Sequence, residues 1–255
     1  METRIKDIFR FVRSSSSYNP IPNPPIRYVL KNRRNIFSRI DSLFCPTKIL
    51  DQYDLFITER VLEYPFVFRS LKAVPGDYVL EFGCANSRLS IELASYGIKV
   101  LGIDLRPYWL THPNFDFVQG DFIDLDISQD HFDAIIANSA IEHFGLGAYG
   151  EERRSDGSEM VLMNKFHQLL KKNGQLILSV PFGKRKVSSF YRVYDQELLG
   201  HLLLQFEVED EEYYFRSRHS IWKPSSAQEL SKIDWPIIGA GADGVALISA
   251  RKRFA

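Results

Sequence analysis

Three carboxylates stand at the ends of apolar runs, each beside a turn. Tyr78-Val-Leu-Glu81 runs into Phe82-Gly83-Cys84-Ala85, Ile98-Lys-Val-Leu-Gly-Ile ends in Asp104, and Phe117-Val-Gln-Gly120 ends in Asp121 with the aromatic Phe122 behind it. If these runs are parallel strands, their carboxyl ends share one crevice, and an acid there accepts both hydroxyls of a ribose lying across the first turn. Asp104, at 104 − 83 = 21 residues past Gly83, is best placed for that task. Asp121 and Phe122 suit the amino group and ring face of an adenine. A fourth run, Phe132-Asp-Ala-Ile-Ile-Ala-Asn138, leads through Ser139 to Glu142 and His143, the only adjacent acid and base so placed. His143 can take a proton from a hydroxyl as a general base, and Glu142 is its neighbour. The bland alternative is that the pair packs the helix beneath the site.

The elements that must position these groups follow from the hydrophobic pattern. Strands are expected at 77–82, 98–103, 115–118, 132–137 and 174–180, with helices near 86–96, 158–172 and 194–203. Alternation of this kind implies a parallel sheet between helices, an α/β Rossmann-like three-layer sandwich. Two longer strands, roughly 205–216 and 245–250, close the chain as an antiparallel C-terminal hairpin, giving a mostly parallel seven-stranded sheet. Residues 48–72 read as helical material over one edge of that sheet, broken at Pro65. Residues 1–45 form a locally basic extension with a Ser- and Pro-rich middle, so the expected organisation is that arm followed by one domain over 46–255.

Glu81-x-Gly83, the second-strand acid Asp104 with the following Leu105, and Gly120-Asp121-Phe122 together resemble the class I S-adenosylmethionine-dependent methyltransferase family over roughly residues 75–183. The resemblance implies S-adenosyl-L-methionine as cofactor. It implies that Gly83 lets the backbone approach the methionine end, that Glu81 holds the ammonium there directly or through water, and that Cys84 and Ala85 line the same pocket. It also implies that Asn138 and Ser139 face the transferring methyl. The family's further glycines are replaced by Ala85 and Ser87. The run from Ser139 to Gly150 and the Ser179-Val-Pro-Phe-Gly183 segment are similar to methyltransferase-like proteins found with polysaccharide-assembly enzymes. That narrower resemblance implies O-methylation of a sugar, glycan or other polar small molecule, with Tyr149, Arg154, Arg185, Tyr191 and Arg192 as candidate acceptor-binding residues.

Other chemistries fit less well. A dinucleotide site relies on Gly-x-Gly-x-x-Gly against a pyrophosphate, which this loop lacks, and no Tyr-x-x-x-Lys pair of a sugar dehydrogenase is present. The Asn/Asp-Pro-Pro-Tyr motif of adenine amino methylation is absent. Glu142 and His143 resemble part of the Glu-x-x-Glu-His metal site of RNA 2′-O-methyltransferases, but Ser139 replaces the first Glu, so no metal is expected. Lys+Arg and Asp+Glu balance at 32 each across 255 residues, which gives no global field for nucleic acid. The basic arm and Arg251-Lys-Arg253 keep an RNA or protein acceptor as the runner-up, and the altered glycine loop keeps a non-catalytic cofactor-binding scaffold as a third reading. No signal peptide or membrane-length apolar run is seen, and with two cysteines, Cys45 and Cys84, read as free thiols, a cytoplasmic location is expected. Oligomeric state is not readable from these patterns.

Overall fold

The structure, a computed structural model, describes residues 58–216, 221–234 and 243–253. The expectations for the basic arm, for residues 48–57 and for the Gly-rich stretch at 235–242 fall outside the described residues. Everything below belongs to the compact unit formed by Ile57–Ala85 and Leu89–Ala255.

Helix α1 spans Arg60–Ser70 and is followed by β1 (Tyr78–Phe82), α2 (Leu89–Ser95), β2 (Lys99–Asp104), β3 (Phe115–Gln119) and β4 (Phe132–Asn138). Then come α3 (Ser158–Leu169), β5 (Leu170–Pro181), the two-residue pair β6 (Lys186–Val187) and β7 (Arg192–Val193), α4 (Gln196–Leu202), β8 (Phe206–Arg216), β9 (Trp222–Ser225), α5 (Ala227–Leu230) and β10 (Gly244–Lys252). The main sheet has the order β3-β2-β1-β4-β5-β10-β8-β9. Strands β1 to β5 pair in parallel and β10, β8 and β9 antiparallel. Parallel strands buried on both faces read as apolar runs, which is why their positions were visible in the sequence.

The sheet has eight strands rather than seven. The additional one, Trp222–Ser225, pairs with Tyr213–Arg216 at the outer edge and carries Pro224, a residue that an edge strand tolerates because one row of its backbone donors is unused. The helix expected over 158–172 stops at Leu169, and Leu170 turns extended and pairs with Phe132.

One face of the sheet is covered by α1 and α2, where Phe66, Val67, Leu89 and Leu93 meet Val79, Ile136, Ile177 and Leu247. Helix α1 therefore lies over β5 and β10 rather than along an edge. It also runs through Pro65 without breaking. Pro65 lacks the N–H that would reach back to Val61, and both residues sit on the exposed side, where solvent can serve the freed carbonyl. The helical spacing that turns Phe66 and Val67 inward turns Glu63 inward with them, fully buried. On the opposite face α3 packs Leu162, Met163 and Phe166 against β1, β4 and β5. Among the described residues no helix is long and apolar enough to cross a membrane.

Phe166 touches the rings of Phe82 and Phe122 at centroid distances of 5.4 and 5.5 Å. Truncating it to alanine should cost about 3–5 kcal/mol of unfolding free energy in a denaturant titration, the usual penalty for emptying an aromatic core position. A loss below ~1 kcal/mol would mean that the aromatic layer is not part of the core.

Candidate active site

The carboxyl ends of β3, β2, β1 and β4 open on one pocket, lined among others by Asp121, Phe122, Asp104, Gly83, Ser139 and His143. Leu105, Arg106, Phe144 and Tyr149 complete its walls, with the Arg106 side chain lying across it. Gly83 has φ +77°, and a Cβ added to it would lie 2.6 Å from the Cβ of Ala140. Only glycine permits that approach of the β1 turn to the β4 turn.

Asp104 is saturated by its own neighbourhood. Oδ2 accepts from the Ala85 N–H (2.8 Å) and Arg106 Nη2 (3.2 Å), and Oδ1 accepts from Arg106 N (2.9 Å) and Nε (3.1 Å). Asp121 caps the short turn Phe122–Asp124 through the Ile123 N–H, and its other oxygen accepts from Arg154 Nη2 at 2.7 Å. Each of these two acids is thus covered by an arginine. The guanidinium of Arg106 lies 4.3 Å from the ring centroid of Tyr149, and that of Arg154 lies 5.5 Å from that of Phe144. Both aromatic residues belong to the loop after β4. Glu151 accepts the N–H groups of Gly147, Ala148 and Tyr149 and so holds the loop compact.

His143 Nδ1 lies 2.6 Å from the carbonyl oxygen of Phe190. A carbonyl only accepts, so Nδ1 carries the proton and Nε2 of the neutral ring is left with its lone pair. Burial holds the imidazole below its ordinary value, and Arg106 and Arg192 push the same way against the Phe190 carbonyl and Glu151. His143 is therefore neutral at pH 7. Its ring meets Phe190 at 4.7 Å and Tyr149 at 5.3 Å, both rings partly open to solvent. Glu142 is buried, and burial first, then Glu63 and Glu59, raise its carboxyl well above the ordinary range. Its Oε1 is 3.8 Å from His143 Nε2, too far for a hydrogen bond.

Six of the ten expected cofactor residues, Gly83, Asp104, Leu105, Asp121, Phe122 and Ser139, line the pocket. Glu81, Cys84, Ala85 and Asn138 sit behind its wall. Glu81 accepts from the Ser90 hydroxyl, and burial pushes the Cys84 thiol far up, which removes it as a nucleophile. Of the expected acceptor residues only Tyr149 reaches the pocket wall. Arg185 is held by Asp195 and Glu197, and Tyr191 is 7% exposed. Arg192, expected at an acceptor, is instead buried and donates to the carbonyls of Phe144 (2.7 Å) and Glu142 (3.4 Å) while pairing with Glu159 at 3.3 Å. It fixes the turn that carries His143. Sequence reasoning missed Glu63, whose Oε1 accepts the hydroxyls of both Ser139 and Ser179. Its only signal was an acid on the apolar side of a helix. Among the described residues no group of three His, Cys, Asp or Glu side chains is arranged to hold a metal ion.

A family model for the methyltransferase domain matches residues 53–225. The chain is 25% identical over 171 residues to the ribosomal RNA large subunit methyltransferase E of Brachyspira hyodysenteriae, covering 65% of this chain and 77% of that protein. Among solved structures it is similar to the 1,6-didemethyltoxoflavin-N1-methyltransferase of Burkholderia thailandensis with bound 1,6-didemethyltoxoflavin and S-adenosylhomocysteine, at TM-score 0.53 and 17% identity over 91% of this chain and 92% of that one. It is also similar to an S-adenosylmethionine-dependent methyltransferase from Listeria monocytogenes, at TM-score 0.52 and 17% identity over 75% and 97% of the two chains. At these identities the structural likeness is one of fold.

Replacing Arg192 by alanine leaves Glu159 buried without its cation and two carbonyls without a donor. Thermal or chemical unfolding should show a loss of about 3–5 kcal/mol, and a change within ~0.5 kcal/mol would contradict the clamp.

Proposed function

The chain belongs to the methyltransferase domain family as a class I S-adenosylmethionine-dependent enzyme, and from that membership we propose that it methylates a hydroxyl of a polar small molecule, a sugar or glycan in the first place. The observation that carries the oxygen acceptor is His143, neutral and with Nε2 free of a hydrogen bond, in the wall of the pocket.

The residues present fit the cofactor. Asp104 and Asp121 would supply acceptors for ribose hydroxyls and an adenine amino group, Phe122 lines the pocket where an adenine ring would lie, and Gly83 and Ser139 line its continuation toward β4. Asp121 keeps one lone-pair site on each oxygen beside the Ile123 and Arg154 donors. Asp104 has none, so ribose hydroxyls take the positions now held by the Arg106 side chain. Bound, S-adenosylmethionine supplies a methyl carbon on a positively charged sulfur, open to in-line attack.

The protein's remaining work is alignment and proton removal. An acceptor hydroxyl held between Ser139 and His143 would give up its proton to the Nε2 lone pair as its oxygen took the methyl group from the bound cofactor, leaving S-adenosylhomocysteine. The imidazolium that results is tolerated for the moment of reaction because the Phe190 carbonyl accepts from Nδ1. The partly exposed faces of Tyr149 and Phe190 offer an apolar platform for the C–H face of a sugar ring. An RNA acceptor is the second reading, favoured by the likeness to the ribosomal RNA methyltransferase of Brachyspira hyodysenteriae.

Labelled S-adenosylmethionine offered with nucleotide sugars, glycans, RNA and protein should deposit its methyl on a carbohydrate oxygen, detected by mass spectrometry. Label confined to RNA would overturn the carbohydrate reading in favour of the second. With the acceptor in hand, kcat/KM should rise with pH along an acid limb whose midpoint lies below ~6.5, because the lowered imidazole must be neutral to act. His143→Gln should lose roughly 10²- to 10⁴-fold in kcat with cofactor affinity retained. Undiminished turnover would remove His143 as the base.

A further inference from the structure

We propose that Glu63, on the helix in front of the first strand, receives the ammonium of the cofactor's amino-acid end, with the Asn138 amide beside it. The inference rests on the reading of the pocket as an S-adenosylmethionine site and names the residues at its undescribed end.

Asp121 follows β3, Asp104 ends β2, Gly83 follows β1 and Ser139 follows β4, and these four strands are neighbours in that order. Strands stand about 4.8 Å apart, so the row spans roughly 14 Å from β3 to β4. With the two nucleoside acids at one end, the amino-acid end of an extended ligand falls at β4 and β5. There Ser139 is held at φ +43° by its N–H, which donates to the Ser179 hydroxyl at 2.8 Å, and the Ser139 and Ser179 hydroxyls both donate to Glu63 Oε1. Ser139 lines the pocket, so Glu63 is one hydrogen bond behind its wall.

The second observation is a set of buried polar atoms without partners. Glu63 Oε2, Asn138 Nδ2 and Glu142 Oε2 are all unbonded, on residues that are 0%, 6% and 3% exposed. A buried carboxylate oxygen left without a donor is costly, and two of them, with an unbonded amide N–H group on an adjoining element, point to a missing group that satisfies them. Acceptors outnumber donors there, as an ammonium requires, and the Asn138 Nδ2 group is a donor of the kind a carboxylate requires. A free amino acid end carries both charges. Glu81, which the family resemblance assigned to the ammonium, is instead engaged by Ser90. The cluster already holds cations, Arg60 facing Glu63, Glu59 and Glu142 and Arg216 facing Glu59, so it is the unbonded atoms rather than the charge balance that point to a further group.

The test compares two ligands by calorimetry on the full chain: S-adenosylhomocysteine, which has the amino-acid end, and 5′-methylthioadenosine, which lacks it. Glu63→Gln keeps the shape and removes the charge. It should weaken S-adenosylhomocysteine about 10- to 100-fold, the worth of one charge-assisted hydrogen bond, and leave methylthioadenosine within about twofold. Glu63→Asp, which keeps the charge on a shorter arm, should give a smaller loss confined to S-adenosylhomocysteine and serves if the glutamine variant does not fold. Equal loss for both ligands would show that Glu63 only shapes the pocket through its serines, and no loss for either would place the ammonium elsewhere; each overturns the proposal. A wild-type protein that binds methylthioadenosine and not S-adenosylhomocysteine would also overturn it, whereas one that binds neither would bring down the cofactor reading itself.

Discussion

The site depends first on the contact between the turn after β1 and the turn after β4. Gly83 and Ala140 approach so closely that a single added carbon would overlap, at 2.6 Å, and the positive φ of Gly83 and Ser139 lets the chain leave both strands in the directions this requires. A parallel sheet brings the carboxyl ends of its strands to one edge whatever the sequence. What it does not provide is the close packing of two exit turns that closes the pocket floor, and Gly83 permits it. The aromatic layer of Phe82, Phe122 and Phe166 beneath makes the floor rigid.

Electrostatics then differentiates the two ends of the row. At β2 and β3 the acids, Asp104 buried and Asp121 partly exposed, are already covered by arginines, one from the β2 exit and one from the loop after β4. A neutral polar ligand such as a nucleoside can exchange with such side chains at modest cost, because the arginines return to solvent. Near β4 and β5, Glu63 and Glu142 are buried, Glu63 accepting from two serines with Arg60 nearby, and burial drives the Glu142 and Glu59 carboxyls upward, the latter to about 7.

Much of this was visible in the sequence, for physical reasons that can be named. The buried parallel strands are apolar runs; Asp104 ends one, Ser139 directly follows another, and Asp121 and His143 lie in the turns just beyond theirs, so the fold edge was readable residue by residue. Glu63 was not, because its role depends on which way α1 faces and on a sheet position more than 70 residues away, Ser139. Arg192 read as an acceptor ligand from its basic neighbourhood, yet its burial against Glu159 makes it a support for the His143 turn. Pro65 read as a helix breaker because the rule concerns the missing donor, and only the tertiary placement shows that the freed carbonyl lies on the open side. Strand β9 is too short and too polar to announce itself except as the partner of β8.

The most direct test of the central claim, that the strand-end row is the cofactor site, is calorimetric titration of S-adenosylhomocysteine into the wild-type protein and into Asp104→Asn, which keeps the acceptor for the Ala85 N–H but removes the charge. One saturable site in the wild type and a loss of at least about tenfold in the variant, with its melting temperature retained, is the predicted result. Equal affinity in the two proteins would contradict it and move the cofactor away from the end of β2.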